Sequence, residues 1–175
     1  MHDLILRAEQ TAMNIERQIL FTKMYQDIGV HAPTWQNVEG LITKAKTGLL
    51  PKSVSLTMTL GKLEVYADPL LEKTFYTLLE NAVRHGMHVT DIRFSCHVTD
   101  DETLHLIYED NGVGISYDDK AHIFKRGYGK HTGFGLFLVR ETLSITGLMI
   151  AETGEPGKGA RFDISVPKEE YRFAT

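Results

Sequence analysis

The run from residue 80 to residue 85, ENAVRH, places an amide, a guanidinium and an imidazole close together near the end of a predicted helix. The side-chain oxygen of Asn81 is a suitable ligand for a magnesium ion that takes most of its ligands from phosphate oxygens and water. Arg84 and His85 follow about one turn later and can face the same anion. Taken alone, Asn81 is equally well explained as a helix-terminal asparagine that satisfies local backbone groups.

A second polar segment, DNGVGI at residues 110–115, follows directly on a predicted strand. If Asp110 is buried, it can accept a hydrogen bond from the exocyclic amine of adenine, a donor that guanine lacks at that position. Gly112 and Gly114 would let the backbone approach the base and the sugar, and Ile115 completes the segment. The same letters also fit a plain turn, since Asp-Asn-Gly is a common hairpin signal.

The third segment consists of IFKRG at residues 123–127 and KHTGFGL at residues 130–136, just before a predicted helix. Glycines in that position leave backbone N–H groups that, together with the helix dipole, can bind phosphate. Lys125, Arg126 and Lys130 are the cations within reach. A lysine-containing loop is more often simply solvated, so the segment is weak by itself.

The fourth segment, GKGA at residues 157–160, opens the last predicted strand with small residues, where a large side chain would block a cleft. In isolation it is more simply read as a hairpin turn.

Two helices are predicted before these segments. Apolar and small residues at spacings of three and four predict one long helix from Leu4 to Tyr25, and its narrow apolar stripe requires a partner helix. We therefore expect it to belong to a dimerisation bundle. A shorter helical segment is predicted to start at Thr34, as N-cap, and to continue to Ala45.

Alternating apolar residues predict strands at residues 54–60 and 63–67, and Gly61-Lys62 between them predicts a hairpin. Asp68, as a cap, and Pro69 then predict the start of a helix that ends at Gly86. The remaining predicted elements are strands at residues 89–98 and 104–108, a helix at 136–145, and strands at 148–151 and 161–166.

Composition excludes several classes of protein. The net charge is -4 and no block of lysine and arginine occurs, which argues against a nucleic-acid partner. The single cysteine, Cys96, cannot form an internal disulfide, and this favours the cytoplasm. No apolar run reaches the roughly 18 residues of a membrane helix, so we expect no direct membrane contact.

Taken together, the four segments resemble in order and spacing the N box and the three glycine boxes of the GHKL ATP-binding superfamily, which includes histidine kinases and gyrase-type ATPases. The resemblance covers about residues 53–167. Within it, the segment around Phe124 resembles the F box of sensor histidine kinases, and residues 136–141 resemble the helix after their ATP lid. Residues 15–35 resemble the second dimerisation helix and exit linker of archaeal-type kinases.

The resemblance implies an α+β fold, the two-layer α/β sandwich called the Bergerat fold, in which a mixed sheet packs on helices. It divides the chain into a partial dimerisation helix and linker, residues 1–50, and an ATP-binding catalytic domain, residues 51–175. It also implies ATP and Mg²⁺ as ligands, with Asn81 on the metal, Asp110 on the adenine amine, and Arg84 and Lys130 on phosphates. The residues implied to bind ATP are Asn81, Arg84, His85, Asp110, Gly112, Gly114, Ile115, Phe124, Lys130, Thr132, Gly133, Gly135, Leu136 and Gly159.

Two further comparisons with the family concern the reaction. Its ATPase branch uses a glutamate one turn before the asparagine to activate water; Thr77 stands there and cannot act as a base. His2-Asp3 superficially resembles the phosphoacceptor pair, but it begins the helix that runs into the linker, so we expect the acceptor histidine outside this fragment.

The expected protein is therefore part of a homodimeric two-component kinase, with a dimerisation helix and a response regulator as partners. The alternative is a nucleotide-binding scaffold or sensor module without phosphotransfer.

Overall fold

The computed structural model describes residues 2–129 and 133–175, with the backbone alone at residues 2–4, 10 and 17. Its helices and strands are α1 (His2–Asp27), β1 (Thr34–Asn37), α2 (Val38–Lys46), β2 (Ser55–Thr59), β3 (Leu63–Ala67), α3 (Leu71–His85), β4 (Asp91–Val98), β5 (Leu104–Asp110), α4 (Tyr117–Lys120), α5 (Gly135–Ser144), β6 (Met149–Glu152), β7 (Arg161–Val166) and β8 (Tyr171–Phe173).

A five-stranded mixed sheet, in the order β2-β4-β5-β7-β6, forms one layer of the domain. The β2–β4 pair is parallel and the other pairs are antiparallel. Alternate residues of the central strands face the helices. Phe75 of α3 contacts Phe94 of β4 edge-on across the layers, with 5.8 Å between ring centroids, and Phe94 contacts Tyr108 on the neighbouring strand β5 at 5.3 Å. The expected two-layer α+β sandwich is confirmed.

Helix α3 carries the first candidate segment, and its apolar residues recur at spacings of three and four on one buried face. It ends at Gly86, as predicted. At its start, Leu70 rather than Asp68 occupies the N-cap position. The buried Asp68 carboxylate instead accepts hydrogen bonds from the backbone N–H groups of Leu70 and Gly29, each at 2.8 Å, and so ties the end of α1 to the start of α3.

The predicted hairpin of β2 and β3 is wrong. The turn itself forms, since Gly61 and Lys62 both have positive φ and the N–H of Leu63 donates to the carbonyl of Leu60 at 3.1 Å. Beyond the turn the strands diverge: β2 pairs with β4, and β3 lies in a second sheet of order β1-β3-β8. In its pairing with β4, strand β2 places Leu56 and Met58 against the buried core.

The segment after α1 also differs from the prediction. Thr34 is not an N-cap: it lies in β1, opposite Ala67 of β3. Helix α2 starts only at Val38, with Asn37 as its cap, whose side-chain oxygen accepts from the Gly40 N–H at 2.8 Å. The buried face of α2 begins at Val38, so the cap lies directly before it. Strand β8, which the sequence did not predict, completes this second sheet.

The long N-terminal helix is confirmed as α1. Most of its apolar side chains are exposed, and among those that the structure describes, Phe21 is the buried one at 7% exposure. The Phe21 ring stacks on Phe134 with 4.0 Å between centroids, Tyr25 stacks on Phe137 at 6.0 Å, and the Arg126 guanidinium lies over Phe21. The C-terminal turns of α1 therefore pack beside the start of α5. None of the described helices combines the length and apolar character that crossing a bilayer requires.

This packing gives a first prediction. Phe21→Ala should detach the end of α1, because it removes a buried ring worth about 3 kcal/mol. Amide hydrogen exchange in the last turns of α1 should rise by about a hundredfold, while the sheet stays protected. Ile19→Ala, at a position 63% exposed on the same helix, is the control. Equal exchange in the two variants would contradict the docking role of Phe21.

Candidate functional site

A cavity of about 610 Å³ opens between the second half of α3, the end of β5, the loop that contains α4, and the start of α5. This volume is in the range of small-molecule sites. The predicted site residues that line it are Asn81, Arg84, His85, Asp110, Gly114, Ile115, Gly133, Gly135 and Leu136. Lys130 and Thr132 lie outside the described residues.

Other predicted residues lie in the wall behind the cavity rather than on its surface: Gly112, Phe124 and Gly159. Gly112 packs against the end of α3, where an added Cβ would lie 2.7 Å from the carbonyl oxygen of Gly86. Phe124 packs edge-on against Phe162 of β7, with 6.3 Å between ring centroids. These residues support the cavity by holding its walls together.

Asp110, the last residue of β5, is held by three hydrogen-bond donors. Its Oδ1 accepts from the N–H groups of Gly112 at 2.9 Å and Ala160 at 3.1 Å, and its Oδ2 accepts from the Tyr108 hydroxyl at 2.8 Å. A carboxylate has about four acceptor positions, so about one stays available to a donor in the cavity. The side chain is thus fixed before any ligand arrives.

Gly159 allows β7 to approach Asp110. Its φ is +107°, a left-handed conformation that favours glycine, and an added Cβ would lie only 1.7 Å from the main-chain oxygen of Asp110. The neighbouring Ala160 exchanges two hydrogen bonds with Asp110, because its carbonyl accepts from the Asp110 N–H at 3.0 Å and its own N–H donates to the carboxylate. The fourth segment is therefore a structural partner of the second.

The start of α5 forms the opposite end of the cavity. The N-cap position of α5 is occupied by Phe134, whose side chain cannot accept hydrogen bonds from the first N–H groups of the helix. Gly133, at φ +64°, brings the loop back on itself: its carbonyl accepts from the Gly127 N–H at 3.0 Å, and an added Cβ would lie 2.3 Å from the Gly127 carbonyl carbon. A helix N-terminus that faces a cavity is suited to an anion.

Helix α3 contributes polar side chains to the wall between these two ends. The Arg84 guanidinium lies 2.8 Å from the Glu80 carboxylate, one turn earlier, and Glu80 also lines the cavity. Glu80 is therefore the ion-pair partner of Arg84 on this wall. Among the described residues no group of three or more acidic, histidine or cysteine side chains is arranged to hold a metal ion.

Sequence reasoning missed Tyr128, which lines the cavity from the loop before α5. Its hydroxyl donates to Asp119 at 2.5 Å, and this hydrogen bond raises the pKa of the phenol. Asp119 in turn belongs to α4, whose N-cap is Ser116. In the sequence, Tyr128 is a single aromatic residue between Gly127 and Gly129, and no periodic pattern marks it as a site residue.

The model of the family described as histidine kinase-, DNA gyrase B-, and HSP90-like ATPase matches residues 67–170 of this chain. The chain belongs to this family. Within it, the chain is an ATP-binding domain of the sensor histidine kinase type. It is 34% identical over 142 residues to the alginate biosynthesis sensor protein KinB of Pseudomonas aeruginosa, an alignment that covers 73% of this chain and 23% of that relative.

Other similar proteins are also named as sensors. The sensor protein CiaH of Streptococcus pneumoniae is 32% identical over 113 residues, covering 58% of this ATP-binding domain and 25% of CiaH. The chain thus spans about a quarter of the length of these relatives.

Solved structures agree with the fold. The mycobacterial sensor histidine kinase MprB superimposes with a TM-score of 0.67 at 16% identity, covering 78% of this chain and 97% of that one. Full-length ShkA in complex with AMPPNP gives a TM-score of 0.69 at 20% identity, covering 97% of this chain and 39% of that one. At such identities the likeness shows the shared architecture of the ATP-binding domain and of α1.

The Tyr108–Asp110 contact gives a prediction for alkaline pH. Burial raises the pKa of the Tyr108 phenol well above its ordinary value, and the charge of Asp110 raises it further. The folded state thus holds this proton more tightly than the unfolded chain. The stability that this tighter proton binding contributes is complete below the ordinary tyrosine pKa of about 10. It is lost as the pH rises above that value.

Tyr108→Phe cannot ionise at this position, so its free energy of unfolding should fall less steeply above about pH 10 than that of the unchanged protein. Near neutral pH the variant should be less stable by roughly 1.5–3 kcal/mol, because the hydrogen bond to Asp110 is gone. Urea unfolding at several pH values measures both effects. Tyr76→Phe, at an exposed position of α3, is the control and should follow the unchanged protein. If the free energy of unfolding falls equally steeply with pH in Tyr108→Phe and in the unchanged protein, the raised pKa of Tyr108 is contradicted.

Proposed function

We propose that this chain binds ATP with Mg²⁺ in the cavity and donates the γ-phosphoryl group to a histidine on the dimerisation bundle of a two-component kinase. One observation carries the proposal: the fixed carboxylate of Asp110 and the N-terminal start of α5 line the same cavity. The carboxylate can recognise the base of a nucleotide, and the helix start can bind its phosphates. The two groups together therefore fit a nucleotide.

Adenine recognition is assigned to Asp110. An ionised carboxylate only accepts hydrogen bonds, so it selects a base that presents an amine at that point. Because Tyr108, Gly112 and Ala160 already hold the carboxylate, little reorganisation is needed when the base enters. Gly114 and Ile115 would lie along the base and the sugar.

Phosphate binding is assigned to the N-terminus of α5 and to Arg84. The Glu80–Arg84 ion pair is weakly held, since its side chains are 27% and 50% exposed, so the guanidinium can turn to a phosphate. The donor set fits magnesium: Asn81 offers one neutral oxygen, and Mg²⁺ accepts a site where phosphates and water supply the other ligands. When bound, the ion neutralises charge on the phosphates during transfer.

The proposed reaction moves the γ-phosphoryl group from ATP to a histidine. The bond between the γ-phosphorus and its bridging oxygen breaks, ADP leaves, and a ring nitrogen of the acceptor forms the new bond. Thr77 lines the cavity where the ATPase branch has its glutamate, and a threonine hydroxyl is no base at neutral pH. Glu80 directly precedes Asn81 and projects about 100° away from it around α3, so it is not placed as a water-activating base. Hydrolysis is therefore disfavoured relative to transfer.

The partners follow from the same proposal. The exposed apolar side chains of α1 are to be covered by other helices of a homodimeric bundle that includes the acceptor helix. Residues 1–50 then contain the bundle helix and its linker, and residues 51–175 form the catalytic domain, on which β1 and α2 of the first segment pack. A response regulator would receive the phosphoryl group, and the reaction would take place in the cytoplasm.

Calorimetry tests the binding step. ADP and a non-hydrolysable ATP analogue should bind, and Mg²⁺ should tighten binding. Asp110→Asn should weaken it by about tenfold to a hundredfold, since a hydrogen bond to a charged group is worth roughly 1.5–3 kcal/mol. Asp100→Asn, at an exposed position in the β4–β5 turn, is the matched control and should bind normally. A nucleotide affinity that does not depend on Mg²⁺ would rule out the assignment, and so would an affinity that Asp110→Asn leaves unchanged.

A second measurement separates the kinase from the scaffold alternative. This chain is mixed with a helical bundle that carries a histidine followed by an acidic residue, together with γ-radiolabelled ATP. A kinase transfers label to that histidine, and Asp110→Asn reduces the transfer. A protein that binds nucleotide normally but transfers no label would be a nucleotide-binding scaffold instead.

A further inference from the structure

A buried ion pair joins the loop that covers the cavity to the β6–β7 hairpin. Glu152, the last residue of β6, and Lys120, the last residue of α4, have side chains that are 1% and 17% exposed. The Lys120 Nζ lies 2.5 Å from the Glu152 Oε2 and also donates a hydrogen bond to the carbonyl of Gly154. None of the roles assigned above uses either side chain.

The other oxygen of Glu152 holds the base of the hairpin. Oε1 accepts from the N–H of Gly154 at 3.2 Å and from the N–H of Arg161 at 3.1 Å. Arg161 directly follows Ala160, whose N–H donates to the Asp110 carboxylate at 3.1 Å. A short series of polar contacts therefore runs from Lys120 through Glu152 and the start of β7 to Asp110.

Helix α4 connects the same pair to the outer wall of the cavity. Asp119, next to Lys120, accepts a hydrogen bond from the hydroxyl of Tyr128, and Asp119 and Tyr128 both line the cavity. Movement of α4 relative to the hairpin would thus displace Tyr128 and the support of Asp110 together.

A gain in stability does not by itself explain the Lys120–Glu152 ion pair. Taking two charges out of water is expensive, and well-packed apolar residues often stabilise a protein as well as a buried ion pair does. Among the described residues, Lys120 is the cation that lies within ion-pair distance of the Glu152 carboxylate. What the pair does provide is a fixed distance and direction between α4 and the hairpin.

We infer that Lys120 and Glu152 are positioning residues of the nucleotide site. Their ion pair locks α4 against the β6–β7 hairpin, and so sets the position of Tyr128 on one wall and of Ala160 and Asp110 on the other. This inference rests on the proposed nucleotide binding. Lys120 acts through other residues and does not itself contact the nucleotide.

The test is calorimetry of ADP binding to the whole chain, with thermal unfolding recorded for every variant. Lys120→Met should raise the dissociation constant by about tenfold, the order seen when a supporting group is removed from a ligand site. Lys120→Arg keeps the charge and should restore most of the affinity. Lys168→Met is the matched control: its lysine also lies 2.5 Å from a glutamate, Glu102, but both side chains are 57% exposed and remote from the cavity.

The double variant Lys120→Met/Glu152→Gln removes the ion pair without leaving a buried unpaired charge, and the glutamine oxygen can still accept from the hairpin N–H groups. It should fold and should bind ADP about as weakly as Lys120→Met. The preference for ADP over GDP should also fall in both variants, since the support of Asp110 is loosened.

The outcomes are distinguishable. If the unchanged protein binds no ADP, the proposed function fails and the inference falls with it. If the unchanged protein binds ADP and the folded double variant binds it equally well, with the same preference over GDP, the positioning role is overturned while the proposed function stands. Loss of affinity in the double variant, rescue by Lys120→Arg and normal binding by Lys168→Met together support the role. Loss of affinity that Lys120→Arg does not rescue overturns it.

Discussion

The contact between the end of β5 and the start of β7 is the constraint on which the candidate site depends. Asp110 and Ala160 exchange two hydrogen bonds, and the contact exists only because Gly159 has no side chain to place against the Asp110 carbonyl. Tyr108 holds the carboxylate from within the sheet, and Gly112 extends the contact to the end of α3. A carboxylate fixed in this way is an organised acceptor before it meets a ligand, which is what selective recognition requires.

The sequence predicted those parts of the site in which the signal is local. Asp110 lies at the end of a strand, and Gly133 and Gly135 lie at the start of a helix, so the boundaries of the elements place them at the cavity. The apolar periodicity of α3 was as informative, because one buried face determines where Asn81 projects. The α+β architecture was implied by the resemblance of these segments to a known superfamily.

The errors share a physical cause, which is that distant partners decide the outcome. A turn at Gly61-Lys62 forms with either pairing of its flanking strands, and only the burial available beside β4 determines that β2 leaves β3. Lys120 and Glu152 are 32 positions apart and have no pattern in common, so their pairing depends on how α4 lies against the β6–β7 hairpin. Such pairs become visible only when the fold is known.

The second sheet has a consequence for the order in which the chain is assembled during translation. Strand β3 pairs on one side with β1, which precedes it, and on the other with β8; the paired residues Glu64 and Arg172 are 108 positions apart. One edge of β3 must therefore stay open until β8 has left the ribosome, long after the cavity-forming helix α3 has been made. Closing so long a loop is slow, and an open strand edge can recruit other chains. The nascent protein thus passes through a stage in which this edge of β3 has no strand to pair with.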